Sequence, residues 1–182
     1  MYVVPQVYPD GKFSQHLLNL PLGKAVDFKH IKPNVKIQYP FGKKFVGMIC
    51  GGTGITPMLQ ALHAILGTAG DATAVSMLYG SMHSGDILAG DALDAWAAGS
   101  KGRFSLTHVL SREPEGSAWG GARGFIGKDL IAKHLPGPSE DCLLVVCGPP
   151  PMYASLCGPR DAKEVTGVLK DLGYRDDQVF KF

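Results

Sequence analysis

The sequence predicts an α/β fold built on a parallel sheet that carries helices on both faces. Three apolar runs, at residues 45–50, 74–80 and 141–147, have the length and composition of buried strands. Segments with apolar residues at helical spacing lie between them, and this alternation is typical of a doubly wound parallel sheet. A chain of 182 residues, 45% of them hydrophobic, suffices for one large domain or for one domain and part of another.

Composition argues against several classes of partner and site. The formal net charge of +2 indicates no strong attraction to nucleic acid or to an anionic membrane. No apolar stretch approaches the roughly 20 residues that span a bilayer, and no signal peptide opens the chain. We therefore expect a cytoplasmic protein, with an anchor upstream of Met1 left open. The four cysteines show no paired C-x-x-C spacing, which favours reduced thiols over a zinc site or a disulfide framework.

The first forty residues predict only short elements. Residues 2–8 have the composition of a strand, which Pro5 places at an edge. A short helix is predicted at residues 11–18. Two further strand-like runs follow at residues 25–29 and 35–39.

The start of the short helix is a candidate phosphate contact. Lys12, Phe13 and Ser14 lie there, and the hydroxyl of Ser14 together with the nearby amides could hold a phosphate. An ordinary capped helix would have the same sequence, so the segment alone leaves both interpretations open.

A glycine-rich turn joins the first long strand to a helix. Apolar residues recur at helical spacing from Leu59 to Leu66, with Gly67 as the stop. Glycines let the backbone approach a ligand, threonines supply hydroxyl donors, and the free amides of a helix start suit a pyrophosphate. Proline is tolerated in the first helical turn. The residues assigned to this site are Gly51, Gly52, Thr53, Gly54, Thr56 and Pro57.

The alternative is a glycine turn that merely closes a βα unit. We expect valine at Gly52 or at Gly54 to distinguish the two, because a branched side chain there should abolish nucleotide binding while the fold stays largely intact.

An acidic residue follows the second strand. Asp86 lies in a loop that enters a helix through Leu93 and Trp96. A carboxylate at this place can hydrogen-bond ribose hydroxyls and repel a 2′-phosphate. It can equally serve as a helix N-cap, and the sequence favours neither interpretation.

The middle of the chain predicts a strand, a long loop and a helix. The strand spans residues 103–110, the loop residues 113–124, and the helix ends near Leu135. Trp119 is interpreted as a packing anchor of the loop, and no chemistry is assigned to it.

The last buried strand runs into a proline-rich segment. The segment is Gly148, Pro149, Pro150, Pro151 and Met152. Ligands of open α/β sheets bind outside the carboxyl ends of the strands, and a loop stiffened by prolines can form a fixed wall for a planar ring.

The two glycine motifs, C-G-G-T-G-I-T-P-M and C-G-P-P-P-M, closely resemble those of the ferredoxin-NADP reductase superfamily. Within it, they are similar to the branch of NADH–cytochrome-b5 reductase and the nitrate reductase flavin domain. The resemblance implies a ferredoxin reductase-like sheet at residues 43–182, which binds NADH. It also implies that residues 1–42 are the C-terminal remnant of an antiparallel β-barrel that binds FAD.

The resemblance also implies roles for particular residues. Lys12, Phe13 and Ser14 match a segment that contacts the flavin pyrophosphate, and Asp86 matches the aspartate that favours NADH over NADPH. The residues that border the nicotinamide are Gly148, Pro149, Pro150 and Met152. Cys147 belongs to the same catalytic centre, where we expect a shaping role rather than nucleophilic chemistry. Phe182 matches a terminal aromatic near the flavin, although a terminal strand docked on the sheet would look the same.

The sequence departs from the family pattern in its first part. The R-x-Y-[ST] motif with which relatives hold the flavin is missing. Two functions follow. One is an NADH-dependent flavoprotein reductase that passes hydride to FAD and electrons to a haem protein such as cytochrome b5, acting as a monomer. The other is a truncated nicotinamide-nucleotide-binding module that is inactive without its flavin domain.

Overall fold

The computed structural model describes residues 7–27, 29 and 37–182. The chain divides into two compact units, residues 1–36 and 37–182, each considered by itself. The assignment of the first 42 residues to a barrel remnant stays a prediction.

The first unit contains the short helix that the sequence predicts. Helix α1 spans Lys12–Leu18, with Gly11 as its N-cap. The strand predicted at residues 2–8 lies outside the described residues, apart from Val7 and Tyr8, which form no strand.

The two strands predicted at residues 25–29 and 35–39 are wrong in the part that the structure describes. Residues 25–27, 29 and 37–39 form no strand. Backbone amides and carbonyls of a strand must pair with a neighbour. Among the described residues, no segment pairs with these two runs.

The second unit is built on a six-stranded sheet in which every pair is parallel. Its strands are β1 (Phe45–Gly51), β2 (Ala74–Ser81), β3 (Phe104–Leu110), β4 (Ala122–Arg123), β5 (Cys142–Cys147) and β6 (Val179–Lys181), in the order β4-β3-β2-β1-β5-β6. The predicted strands correspond to β1, β2, β3 and β5, which confirms the parallel sheet. Strand β4 is an addition inside the predicted long loop.

Helices cover both faces of this sheet. They are α2 (Ile55–Gly67), α3 (Gly90–Gly99), α4 (Lys128–His134), α5 (Pro150–Leu156) and α6 (Gly167–Asp171). Alternate residues of β1 enter two cores: Met48 packs with α2 and α3, whereas Ile49 packs with α4, α5 and α6. The doubly wound α/β prediction is therefore confirmed.

The proline segment differs from its prediction. Pro150, Pro151 and Met152 form the first turn of α5, and Pro149 is its N-cap. Proline is tolerated there because the first amides of a helix have no partner within it. In the described part of the chain, no helix is long and apolar enough to cross a membrane.

Candidate functional site

The site lies where the sheet changes direction. From β1 the chain adds β2 on one side, whereas β5 pairs with β1 on the other side. The loops after β1 and β5 therefore begin next to each other at the same edge of the sheet. One then leads toward β2 and the other toward β6, on opposite sides. This switch point is where open parallel sheets bind ligands.

The two glycine motifs meet at this point. A Cβ on Gly54 would overlap the carbonyl group of Cys147, and a Cβ on Gly51 would lie 3.1 Å from Cδ of Pro149 and 3.2 Å from Sδ of Met152. These glycines thus allow the two loops to touch. The expectation that valine at Gly54 leaves the fold intact is wrong, because the overlap is with backbone atoms.

Gly52 has a different environment. Its φ is +54°, and a Cβ placed on it would meet nothing within 4 Å. Gly52, Thr53 and Gly54 form a 3₁₀ turn that continues into α2. The first amides of such a turn have no partner within it. The exposed residues Gly52 and Thr53 thus place backbone donors next to open space at the positive end of α2.

The side chains of this loop agree with an exposed surface. Thr53 and Thr56 are exposed, and the hydroxyl of Thr56 donates to the carbonyl of Thr53 over 3.1 Å. Pro57 is the third residue of α2, as predicted for the first turn.

Asp86 closes a turn after β2. It is the third residue of a 3₁₀ turn, Ser84–Asp86, whose N-cap is His83. Its Oδ2 accepts the backbone N–H of His83 at 3.0 Å and lies 3.1 Å from Nδ1 of the same residue. The Asp86 carboxylate therefore accepts the amide of the N-cap residue, His83, and is not itself the N-cap of the turn. It remains half exposed, so one oxygen is available to a ligand.

A second carboxylate, absent from the sequence analysis, holds the same turn. Glu113, from the loop after β3, accepts the Ser84 backbone N–H at 2.8 Å and the Ser84 hydroxyl at 3.1 Å. The Ser84 amide is the main cause that lowers the pKa of Glu113. Two negative charges thus lie at one turn.

Four side chains form a row across the sheet below the loops. Cys147, Cys50, Tyr79 and His108 are successive register partners on β5, β1, β2 and β3. The rings of Tyr79 and His108 are 5.7 Å apart. The hydroxyl of Tyr79 donates to the carbonyl of Gly52 and accepts the N–H of Leu88, each over 3.2 Å.

A cavity of about 540 Å³ adjoins the end of this row. It is lined by His108, Trp119 and the start of α3, and it reaches Ser84. Trp119 packs its ring against His108 at 6.3 Å and donates Nε1–H to the carbonyl of Ala122. Its predicted anchoring contacts are present, and it also lines a cavity, which the sequence did not indicate.

A larger cavity, of about 570 Å³, lies elsewhere. It is lined by His63, Trp96 and Arg103, between the C-terminal ends of α2 and α3. Helices that connect parallel strands end at the amino edge of the sheet, away from the switch point. We therefore assign the site to the smaller cavity and the glycine loops.

Cys147 has the environment of an unreactive thiol. Burial raises its pKa, against smaller lowering effects of a hydrogen bond with Tyr153 and of the Arg160 charge. Nucleophilic cysteines have a lowered pKa. The environment supports the expected shaping role.

Phe182 follows the edge strand β6. Its N–H donates to the carbonyl of Val146 at 3.0 Å, and its own carbonyl accepts the hydroxyl of Tyr153 at 2.7 Å. Its ring lies 5.1 Å from that of Phe180. The terminal strand docks on the sheet, and the role of Phe182 beside a flavin stays a prediction.

Lys12, Phe13 and Ser14 belong to the first unit. The Ser14 hydroxyl accepts the N–H of Tyr8 at 3.2 Å and donates to the carbonyl of Gly11 at 3.1 Å. Phe13 is exposed.

Comparisons with known proteins place the chain in a family. Residues 48–158 match the model of the oxidoreductase NAD-binding domain. An NADH-cytochrome b5 reductase-like protein of Arabidopsis thaliana is 41% identical over 97% of this chain. NADH-cytochrome b5 reductase 2 of Lodderomyces elongisporus is 40% identical over 96% of it.

Solved structures agree. The cytochrome b5 reductase domain of Ulva prolifera nitrate reductase superimposes with a TM-score of 0.77 at 29% identity, over 97% of this chain and 69% of that one. The CS-b5R domains of human Ncb5or share the fold, with a TM-score of 0.70 at 23% identity, over 96% of this chain and 46% of that one.

The chain spans 54% and 59% of the length of the two curated relatives. The matched residues 48–158 contain both glycine motifs, Asp86 and the whole row of four side chains. The chain therefore belongs to the oxidoreductase NAD-binding domain family.

Proposed function

We propose that these residues are the NADH-binding part of an NADH-dependent flavoprotein reductase of the cytochrome b5 reductase type. The observation that carries the proposal is the contact between the loops after β1 and β5 at the switch point, with the space above Gly52 left open. That arrangement offers backbone donors to a phosphate and a glycine-lined approach to a planar ring.

The pyrophosphate of NADH lies against the amides of the exposed residues Gly52 and Thr53, at the start of α2. The exposed hydroxyl of Thr53 lies at the same end of α2 and adds a neutral donor, whereas the hydroxyl of Thr56 already donates to the carbonyl of Thr53. No lysine or arginine lies in this loop, so affinity for the phosphates rests on amides and the helix dipole.

The adenosine end extends toward Asp86 and the cavity beside Trp119. Asp86 and Glu113 repel an additional phosphate on the ribose, which favours NADH over NADPH. The indole of Trp119 offers a flat face to a purine.

The nicotinamide end lies against Cys147, Gly148 and the start of α5. Gly148 has no side chain in the way, Pro149 and Pro150 fix the backbone, and Met152 fills the space behind them. These residues orient the ring and exclude water. The hydride comes from the nicotinamide itself.

A bound flavin supplies the conversion between hydride and single-electron transfer. The described residues of the first unit do not by themselves fit a flavin, because the hydroxyl of Ser14 is already engaged by Gly11 and Tyr8.

The partner and location of the whole protein are part of the proposal. Two relatives carry the name NADH-cytochrome b5 reductase, which supports a haem protein as the electron acceptor. A cytoplasmic location agrees with the four free thiols, and we propose that the protein acts as a monomer.

The test is calorimetric titration of the purified chain with NADH and with ADP-ribose. Gly52→Ala places a methyl group in the open space, and we expect it to weaken both ligands by roughly tenfold or more, which is 1.4 kcal/mol of binding free energy. Gly70→Ala is the matched control, since Gly70 also has a positive φ and no neighbour within 4 Å, and lies after α2. A wild-type chain that binds neither ligand would refute the proposal.

The isolated chain as a nucleotide-binding module is the second candidate. It is favoured by the Ser14 hydroxyl, which is engaged within its own loop, and retention of flavin by the purified chain separates it from a complete reductase.

A further inference from the structure

Tyr79 connects the two loops to which the proposed function assigns the nucleotide. Its side chain, on β2, is fully buried. The hydroxyl donates to the carbonyl of Gly52, after β1, and accepts the N–H of Leu88, after the 3₁₀ turn that contains Asp86. No local sequence pattern marks this residue.

The bond to Gly52 determines which way an amide points. In a trans peptide the carbonyl and the following N–H point in opposite directions. The carbonyl of Gly52 is held by the buried phenol and also accepts the N–H of Ile55. The N–H of Thr53, in the same peptide, is therefore directed away from the phenol, on the side of the exposed loop.

The ring itself has little freedom. It lies between its register partners Cys50 and His108, and the imidazole of His108 packs against it at 5.7 Å. Burial also raises the pKa of the Tyr79 hydroxyl. The phenol therefore keeps the proton that it donates to the carbonyl of Gly52. The hydroxyl is thus a fixed point in the sheet.

The hydrogen bond from the Leu88 N–H to the Tyr79 hydroxyl holds the second loop, which contains Asp86, in the same way. Leu88 lies two residues after Asp86 and one residue before Ala89, which has a positive φ of 55°. An alanine with that φ is uncommon and needs support from its surroundings. The phenol therefore also fixes the distance between the Thr53 amide and the Asp86 carboxylate.

We propose that Tyr79 is a positioning residue for the dinucleotide, which sets the Thr53 amide and the Asp86 turn at the spacing that a pyrophosphate and its adenosine ribose require. The inference rests on the proposed function of the same site. In this inference Tyr79 touches neither the pyrophosphate nor the ribose and acts through the two loops that hold them.

The test is Tyr79→Phe, which removes the hydroxyl and keeps the ring. We expect the affinity for NADH to fall by about tenfold. We also expect the preference for NADH over NADPH to narrow by about threefold, because the Asp86 turn is no longer tied to the phosphate loop. A purely structural role would not change this preference.

Tyr174→Phe is the matched control. Tyr174 is also buried, and its hydroxyl donates to the carbonyl of Pro136, which belongs to neither loop. We expect a similar loss of stability and unchanged NADH affinity. Tyr79→Phe that binds NADH within twofold of the wild type, at the wild-type preference, would overturn the inference and leave the proposed function standing.

Amide exchange of the wild-type chain provides a test that does not depend on the variant. The Leu88 N–H should exchange slowly without ligand, and the Thr53 N–H should exchange fast until NADH protects it. Fast exchange at Leu88 would overturn the inference. A wild-type chain that does not bind NADH at all would overturn the proposed function, and the inference with it.

Discussion

At the scale of single residues, neighbouring glycines of one motif do different things. Gly54 allows α2 to start against the end of β5, because any Cβ there meets the Cys147 carbonyl. Gly52 supplies a positive φ and leaves space for a ligand. One motif thus serves packing at Gly54 and ligand binding at Gly52. The two roles differ in the space around each glycine, which the sequence does not reveal.

We expect Gly54→Ala to destabilise the fold by about 1–3 kcal/mol, the usual cost of overpacking against atoms that cannot move. Gly67→Ala is the control, since Gly67 ends α2 with nothing within 4 Å of its Cβ and an ordinary φ. Urea denaturation measures both. Equal stability of Gly54→Ala and wild type would show that the two loops do not touch.

Asp86 should determine the choice of nucleotide. Asp86→Asn keeps an acceptor for the His83 amide and removes the charge. We expect the preference for NADH to shrink by on the order of 1 kcal/mol, roughly fivefold, for a half-exposed, screened charge. Titrations with NADH and NADPH check this, with the exposed Asp171→Asn as control. If both variants keep the wild-type preference, Asp86 only caps its turn.

His108 should make the fold sensitive to mild acid. Burial lowers its pKa, against the weaker opposite effect of Asp94 at 3.7 Å, and its Nδ1 has no partner among the described residues. Its other neighbours, Tyr79 and Trp119, are aromatic. The pKa of His108 in the unfolded chain is about 6.5, so the unfolded chain binds the proton more tightly. The contribution of His108 to stability is therefore present above that pH and is lost as the pH falls from it through the lower pKa of the folded state.

The measurement is the urea midpoint at pH 7.5 and pH 5.5. We expect His108→Gln to reduce the acid-induced decrease. Carboxyls with lowered pKa, such as Asp71, lose their contribution only at lower pH. An identical decrease in variant and wild type would contradict the assignment to His108.

At the scale of elements, a strand or loop could be predicted when its own residues carry the pattern that defines it. Strands buried on both faces of a parallel sheet are continuously apolar, so β1, β2 and β5 could be predicted. Strand β4 has two residues and exists only through pairing with Val109 and Leu110. The roles of Tyr79, His108 and Glu113 depend on register and on a distant turn, and no local pattern encodes them. The glycine loops were predictable because their motifs are contiguous.

The C-terminal edge depends on one hydroxyl shared by three elements. The hydroxyl of Tyr153, on α5, lies 2.7 Å from the carbonyl oxygen of Phe182 and 3.1 Å from that of Val146, and the two oxygens share its one proton. We expect Tyr153→Phe to cost about 1 kcal/mol and to accelerate exchange of the Phe182 amide, which pairs with β5. Hydrogen exchange read by NMR checks this. Unchanged exchange at Phe182 would show that β6 docks without the hydroxyl.

At the scale of the whole molecule, the elements of the candidate site lie within one compact unit. The sheet, both cores and the nucleotide loops all belong to residues 37–182. The residues that match the family model, 48–158, all lie in this unit. The relatives are longer than the chain, which spans 54% of the length of the Arabidopsis protein. NADH binding is therefore expected of these residues by themselves.

We expect the 182-residue chain to bind NADH and to purify without FAD. It lacks the R-x-Y-[ST] motif, and the Ser14 hydroxyl is engaged within its own loop. Each contact worth about 1.4 kcal/mol that a ligand loses lowers its affinity tenfold, so several missing contacts release the flavin. The measurements are the visible spectrum, fluorescence of any FAD released on denaturation, and reduction of ferricyanide by NADH. The full-length Arabidopsis relative is the positive control. A yellow chain that releases FAD would show that residues 1–36 hold the flavin, and the module would then be a reductase.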